Sequence, residues 1–247
     1  MLNYIKAELW KAFRNRGMYL LLLLLLMGTG LFAALMLTAD TFAEMAFAST
    51  TTMLLGVLVA PPLAQLVDGS SQGTLKNEVS FGVSRRRIYL GKLLAGLLLG
   101  VLLCLLLIGG YLLLGWLLLP HNSAEDLAAL ATVGFMVLGA LPVWWGMYSL
   151  CHTMAMLIPS TAGWISLYYI ATFFAQPILI SVIAGLSGKG MSSLLQAVLM
   201  PAFLLLPDIL FDPIPWTYQV WCWSIGLGWL AATTGLGLLW LKRCEIK

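Results

Sequence analysis

The chain has 247 residues, 61% of them hydrophobic and only 9% charged, with a mean hydropathy of +0.96 and a formal net charge of +3. A soluble globule of this composition would expose more apolar surface than water tolerates, and so small a positive charge argues against nucleic acid as a partner. The expected fold class is an all-α integral membrane protein: the apolar runs reach about 20 uncharged residues, enough for a helix to cross a hydrocarbon core roughly 30 Å thick, and they lack the alternation of barrel strands.

The chain opens with "MLNYIKAELWKAFRNRG", residues 1–17. At helical spacing Leu2, Ile5, Leu9, Trp10 and Phe13 share one arc, with Glu8, Lys11, Arg14 and Asn15 opposite, which predicts an amphipathic interfacial helix. Lys6 and Arg16 intrude on the apolar arc, where their stems can snorkel. A single six-span domain over 18–247 follows, with spans expected at 18–37, 46–66, 90–119, 127–150, 162–184 and 218–241. The first contains seven consecutive leucines, too long a stretch for a cleavable signal peptide and with no small-residue cleavage site after it. The third exceeds a straight crossing and is expected to tilt or protrude.

Six spans place both termini on one side. That side receives Lys6, Lys11, Arg14, Arg16, Lys76, Arg85, Arg86, Arg87, Lys92, Lys242, Arg243 and Lys247, twelve basic residues against Lys189 alone. The positive-inside rule then makes the termini cytoplasmic. Asp40, Glu44, Glu125, Asp126, Asp208 and Asp212 fall on the outer side. Residues 191–206 are apolar but short and interrupted by Pro201. A seventh span there would degrade the tally to nine against four, so 185–217 is expected to be a structured re-entrant segment on the outer side.

The connection between the second and third spans contains "GTLKNEVSFGVSRRRIYLGK", 73–92. Thr74 suits a helix N-cap and Gly82 a left-handed C′ position, so 73–81 reads as a short capped helix with Leu75 and Val79 one turn apart. Ser84 is placed to cap the third span. Arg85, Arg86 and Arg87 then fall in its first turn, where the positive end of the helix dipole disfavours cations. Topogenic charge and headgroup contact explain the arginines. They do not explain a capped helix where a tight turn would suffice, and the segment is read as a cytoplasmic docking element.

"SGKG", 187–190, lacks the first glycine and the hydroxyl of a phosphate-binding loop. The two histidines, His121 in an outer loop and His152 at the inner end of the fourth span, do not form HExxH, and His152 is expected to be interfacial. No ionisable residue is expected at mid-membrane, which favours an external energy source. Cys104, Cys151, Cys222 and Cys244 lack metal-site spacing and read as reduced packing residues. Polar residues that could line a pathway are Thr52 and Gln65 in the second span and Ser166, Tyr169, Phe173 and Gln176 in the fifth; helix packing explains them equally well. Gly96 and Gly100 form GxxxG, expected to pack within the bundle, and Trp216, Trp221 and Trp223 suit an aromatic belt.

Asp68, Gly73, Thr74, Lys76, Asn77, Val83, Ser84, Arg85, Ile88, Tyr89 and Lys92, together with the topology, make the chain resemble the permease family of type-2 ABC exporters, particularly the small six-span permeases of bacitracin-resistance and lantibiotic-immunity systems. Asp68 departs from the family's usual glutamate. The resemblance implies that 68–89 is a coupling segment gripped by a separate cytoplasmic ATPase, contacted through Thr74, Leu75, Lys76, Asn77, Glu78, Val79, Phe81, Arg85, Arg86 and Arg87. It also implies a permease dimer, homomeric or heteromeric, with a pathway around the second and fifth spans. The chain itself would be no enzyme and hold no cofactor, ATP and magnesium belonging to the partner. The cargo would be amphiphilic, such as an antimicrobial peptide, and the location the cell membrane. A stand-alone carrier or channel, or an intramembrane enzyme, are the alternatives.

Overall fold

The computed structural model describes residues 1–69, 78–186, 198, 201–205 and 216–243, and every regular element among them is helical. The elements are α1 (Leu2–Arg14), α2 (Arg16–Met36), α3 (Phe42–Asp68), α4 (Arg85–Leu118), α5 (Ser123–Leu157), α6 (161–186) and α7 (Thr217–Arg243). Six of them, α2 to α7, supply stretches long and apolar enough to cross a membrane, so this is a multi-pass membrane protein. They coincide with the six expected runs but reach further: α4 starts at Arg85 and α5 continues to Leu157, giving 34 and 35 residues, about 50 Å each. Asn15, in extended backbone, separates α1 from α2, and its side chain accepts from Gly17 N–H as the N-cap of α2. Alternating directions bring α1, the starts of α2, α4 and α6 and the ends of α3, α5 and α7 to one end, the basic end.

Irregular turns in α3 and α6 follow from local chemistry. Ser49, Thr50, Thr51 and Thr52 each donate a hydroxyl to the carbonyl three residues earlier, at 2.6–2.8 Å. This competes with regular α-helical pairing, and Ser49–Leu54 is wound as a 3₁₀ helix. Further on, Pro61 and Pro62 lack the N–H groups that would bond the carbonyls four residues back, Val57 and Leu58. Tyr168 on α6 donates to Val57 O at 3.2 Å, and Tyr169 to Leu58 O at 2.9 Å. Two adjacent tyrosines thus supply the two donors that two adjacent prolines remove. In α6, Pro177 removes the donor that would serve residue 173, and the preceding turn, Ala171–Ala175, widens into a π-helix.

Glycines set the close contacts. α5 and α7 form the most extensive helix pair. At their crossing Gly226 lies so close to Pro142 that a Cβ would strike the proline's carbonyl, while Gly146 faces the Gly226 carbonyl. Gly96 and Gly100 on α4 accommodate the rings of Tyr148 and Trp144 from α5, so GxxxG here packs within the bundle as expected. Cys151 and Cys222 are buried in the core and Cys104 is half-buried. α2 buries the least of the six: most of its leucines are exposed, while Leu21, Leu22 and Leu25 are half-buried. Trp216, at the end of the bundle opposite the basic end, is exposed.

Of the connection between α6 and α7, the turn Pro201–Leu205 is packed against α3, α5 and α7, with Ala202, Leu204 and Leu205 buried. Tyr218 donates to Leu204 O at 2.7 Å and Trp229 Nε1 to Val198 O at 2.8 Å. The remainder of 187–215 lies outside the described residues.

The proline–tyrosine pairing carries a measurable consequence. Tyr168→Phe leaves Val57 O without its donor and should cost about 1–3 kcal/mol, read as a lowered thermal midpoint in detergent micelles. Adding Pro61→Ala, which returns a backbone N–H, should recover most of that loss; a double variant no more stable than Tyr168→Phe would refute the pairing.

Candidate functional site

Two buried polar layers occupy the basic end. The first is built around α1. Gly91, lacking a side chain, lets the Tyr4 ring lie directly on α4, and this docking turns Glu8 and Ala12 into the protein, each 3% exposed, while Leu2, Trp10 and Phe13 remain exposed. The polar arc was expected to face away from the apolar one into solvent; instead its central carboxylate is the most buried charged group of the helix. Glu8 Oε1 accepts from Lys11 Nζ at 2.7 Å, and Glu8 Oε2 lies 3.6 Å from the Nζ of Lys92, whose side chain is fully buried on α4. Desolvating an ammonium costs several kcal/mol and is tolerated only beside a counter-charge. Glu8 provides it.

The same face of α1 holds the segment leading into α4. Tyr4 donates to Glu78 Oε2 at 2.8 Å, and Lys11 Nζ stands 3.6 Å from Glu78 Oε1. Burial and then the neighbouring Glu78 and Glu8 charges raise the Tyr4 pKa above the ordinary phenol value, so it remains a donor. Burial by itself would lower the pKa of Lys11; pairing with Glu8 and Glu78 outweighs this and raises it. Residues 78–80 are helical and end in a Schellman closure, with Val83 N–H bonded to Glu78 O and Gly82 N–H to Val79 O. Gly82 has φ +82°, the left-handed backbone its C′ position requires. Phe81, beside it, is 85% exposed.

The second layer joins four helices. His152 Nδ1 and Asp68 Oδ2 are 2.7 Å apart, with both side chains fully buried. The Tyr89 ring lies 4.5 Å from the His152 ring, and its hydroxyl is hydrogen-bonded to Thr153 Oγ1 at 2.7 Å. Ser149 Oγ and Thr233 Oγ1 follow at 2.6 Å. His152, expected at the lipid interface, sits inside the bundle because α5 runs beyond it and α3 presents Asp68 to it. Asp68, at the end of α3, thus directs its carboxylate at the histidine. Ionisable groups are buried in this protein after all, within about two helical turns of the ends of α3, α4 and α5 and away from mid-depth.

Arg85 resolves the misplaced arginine. Its guanidinium donates to Leu241 O at 2.9 Å, close to the C-terminus of α7. Unfavourable at the positive end of its own helix, the cation is favourable beside the unpaired carbonyls and negative end of another. Arg86 and Arg87 are exposed. Ser84 occupies the N-cap position of α4, but its hydroxyl makes no capping bond; its carbonyl accepts from Arg87 and Ile88 N–H instead.

The other expected site residues are dispersed. Thr74, Leu75, Lys76 and Asn77 lie outside the described residues, whereas Glu78, Val79, Phe81, Arg85, Arg86 and Arg87 are placed around the start of α4. Thr52 lines a cavity of about 400 Å³ enclosed by α2–α5 and Leu205, and Gln65 a different pocket beside Glu8 and Lys11. On α6 the inward residues are Trp164, Tyr168 and Thr172; Ser166 and Phe173 are exposed, Gln176 is half-buried, and Tyr169 is engaged with Leu58 O. Tyr169, through Leu58 O, joins the α6 set to the helix that carries Thr52 and Gln65. In the sequence Glu8 is one charge among several on a polar arc, and His152, expected to be interfacial, is a single histidine near a helix end; neither carries a local signal of its partner. Tyr89 and Lys92 were noted only as parts of a motif.

These observations define a class, a multi-pass α-helical membrane protein whose basic end is locked by buried polar pairs. No family model and no curated protein matches the chain.

The ion-pair geometry predicts an asymmetry. Glu8→Gln strands the fully buried Lys92 and should cost about 3–5 kcal/mol, whereas Lys92→Met leaves Glu8 still paired with half-exposed Lys11 and should cost less. Thermal unfolding of both variants in detergent tests this. Equal losses, or a larger one for Lys92→Met, would contradict the arrangement.

Proposed function

We propose that the chain is the membrane-spanning permease subunit of an ATP-driven exporter of the type-2 ABC kind, worked by a separate cytoplasmic ATPase that binds ATP and magnesium. In this reading the basic end is cytoplasmic, 68–89 is the coupling segment, α1 is the interfacial helix and the Pro201–Leu205 turn belongs to a re-entrant outer segment. The supporting observation is the mounting of Glu78 and Phe81. A closed helix end offers an exposed aromatic ring to a partner, while Glu78, three residues earlier, is tied to α1 through Tyr4 and Lys11. Force applied at Phe81 passes directly into α4 and, through Glu78 and the Glu8–Lys92 pair, into α1. Coupling is mechanical, and catalysis belongs to the partner. A second copy, identical or a sister permease, would complete the pathway, with the outward residues of α6 available to it. The cargo class is amphiphilic, such as an antimicrobial peptide.

A second reading, a stand-alone carrier, draws on the buried Asp68–His152 and Glu8–Lys92 pairs, since buried ionisable groups in membrane proteins often serve ion coupling.

The readings separate in one experiment. When the tagged chain is purified from cells co-expressing its genomic neighbours, an ATPase should co-purify, and Phe81→Asp should reduce its recovery by about tenfold without lowering the chain's thermal midpoint. Unchanged recovery would remove the coupling assignment, and cargo movement by the purified chain alone in liposomes would establish the carrier.

A further inference from the structure

The cavity enclosed by α2, α3, α4 and α5 has no part in the docking end or in the proton chemistry of the basic layers. Its volume is about 400 Å³, within the roughly 300–1,000 Å³ typical of small-molecule sites. It lies along the middle of the bundle, between Leu21–Thr29 positions of α2 and the central turns of α4 and α5, and no charged residue lines it. Three of its lining residues, Leu24, Leu55 and Leu58, are also exposed on the outer surface, so its mouth opens sideways between α2 and α3.

Most of its polar lining already donates within the protein, and the Thr29 hydroxyl lines it as well. Ser49 and Thr52 donate to carbonyls of their own helix, Tyr111 donates to Met45 O at 3.0 Å, and Trp144 Nε1 to Gly56 O at 2.9 Å. A polar guest would lose its hydration and find few hydrogen-bonding groups in return, whereas an unbranched hydrocarbon has no hydration of that kind to lose. Room for it is created by glycine: Gly28 faces the cavity from α2, and a Cβ added there would meet no atom within 4 Å. Taking a methylene as about the size of a water molecule, roughly 30 Å³, the space holds a chain of about a dozen carbons.

We propose that this cavity is a binding site for one acyl chain of a bilayer phospholipid, entering laterally between α2 and α3 while the headgroup stays outside the bundle. The match is of size, absence of charge and scarcity of free hydrogen-bond donors to a ligand the surrounding membrane supplies in excess. It holds whichever of the two functional readings is correct.

The test uses the full chain in liposomes containing a phosphatidylglycerol with a photoreactive diazirine near the middle of one acyl chain, with labelled residues mapped by mass spectrometry. Val59, Leu103 and Leu107, which line the cavity, should be labelled at least as strongly as outward Leu23 and Leu31. Gly28→Phe, which adds a ring at a cavity-lining position, should reduce cavity labelling by about tenfold and leave Leu23 and Leu31 unchanged; Gly28→Ala should retain most of it. Labelling confined to the outward leucines in the unmodified chain would overturn the proposal, irrespective of how the variants fold. So would cavity labelling that Gly28→Phe leaves intact in a folded protein. Labelling by a photoreactive free fatty acid, but not by the phospholipid, would reject the phospholipid as the source.

Discussion

Hydrocarbon offers no hydrogen bonds, so every backbone carbonyl within the bundle must find a donor in the protein. Much of the architecture follows from where that rule is strained. α3 carries two prolines in succession, and the carbonyls they leave unbonded are served by Tyr168 and Tyr169 of α6. A helix pair without extensive packing is thereby held in register by two hydrogen bonds of known direction. The same constraint explains why α6 swells into a π-turn before Pro177 rather than breaking. It also explains why the hydroxyls of Ser49–Thr52 fold back on their own helix, tightening it.

At the basic end the governing cost is desolvation of charge. The side chains of Lys92 and Asp68 are fully buried, and each is paired with an ionisable side chain, Glu8 and His152 respectively. Such pairs contribute little net stability compared with well-packed apolar residues, but removing one member is severe. Their effect is to specify arrangement. α1 docks on α4 in the one register that brings Glu8 to Lys92, and α3 ends against α5 where Asp68 reaches His152. Arg85 works by the same logic at the exposed margin, joining the beginning of α4 to the end of α7.

The outcome is a molecule with unequal mechanical properties. α1, α4, α5, α7 and the stretch beginning at Glu78 are joined by polar contacts and glycine-mediated close packing, while α2 is held loosely and borders an apolar cavity. In the proposed permease, a displacement introduced at Phe81 would enter the more extensively joined helices. That division suits a permease driven from outside the membrane.

The class, the number of spans and their approximate positions, though not their ends, were legible in the sequence, since uninterrupted apolar length and the location of charges are local properties. So was the closure at Gly82, because a left-handed C′ position makes a local demand that glycine meets. The site was legible only as a motif. "IYLGK" turned out to combine three tasks: Tyr89 against His152, Gly91 beneath Tyr4, and Lys92 opposite Glu8. What the tertiary structure alone decided was the pairing: which carboxylate meets which cation, which tyrosines answer which prolines, and which side of α1 is inward. Those choices depend on residues as many as 111 positions apart in the chain, and helical periodicity cannot rank them, because it says which residues share a face and never which face another helix will cover.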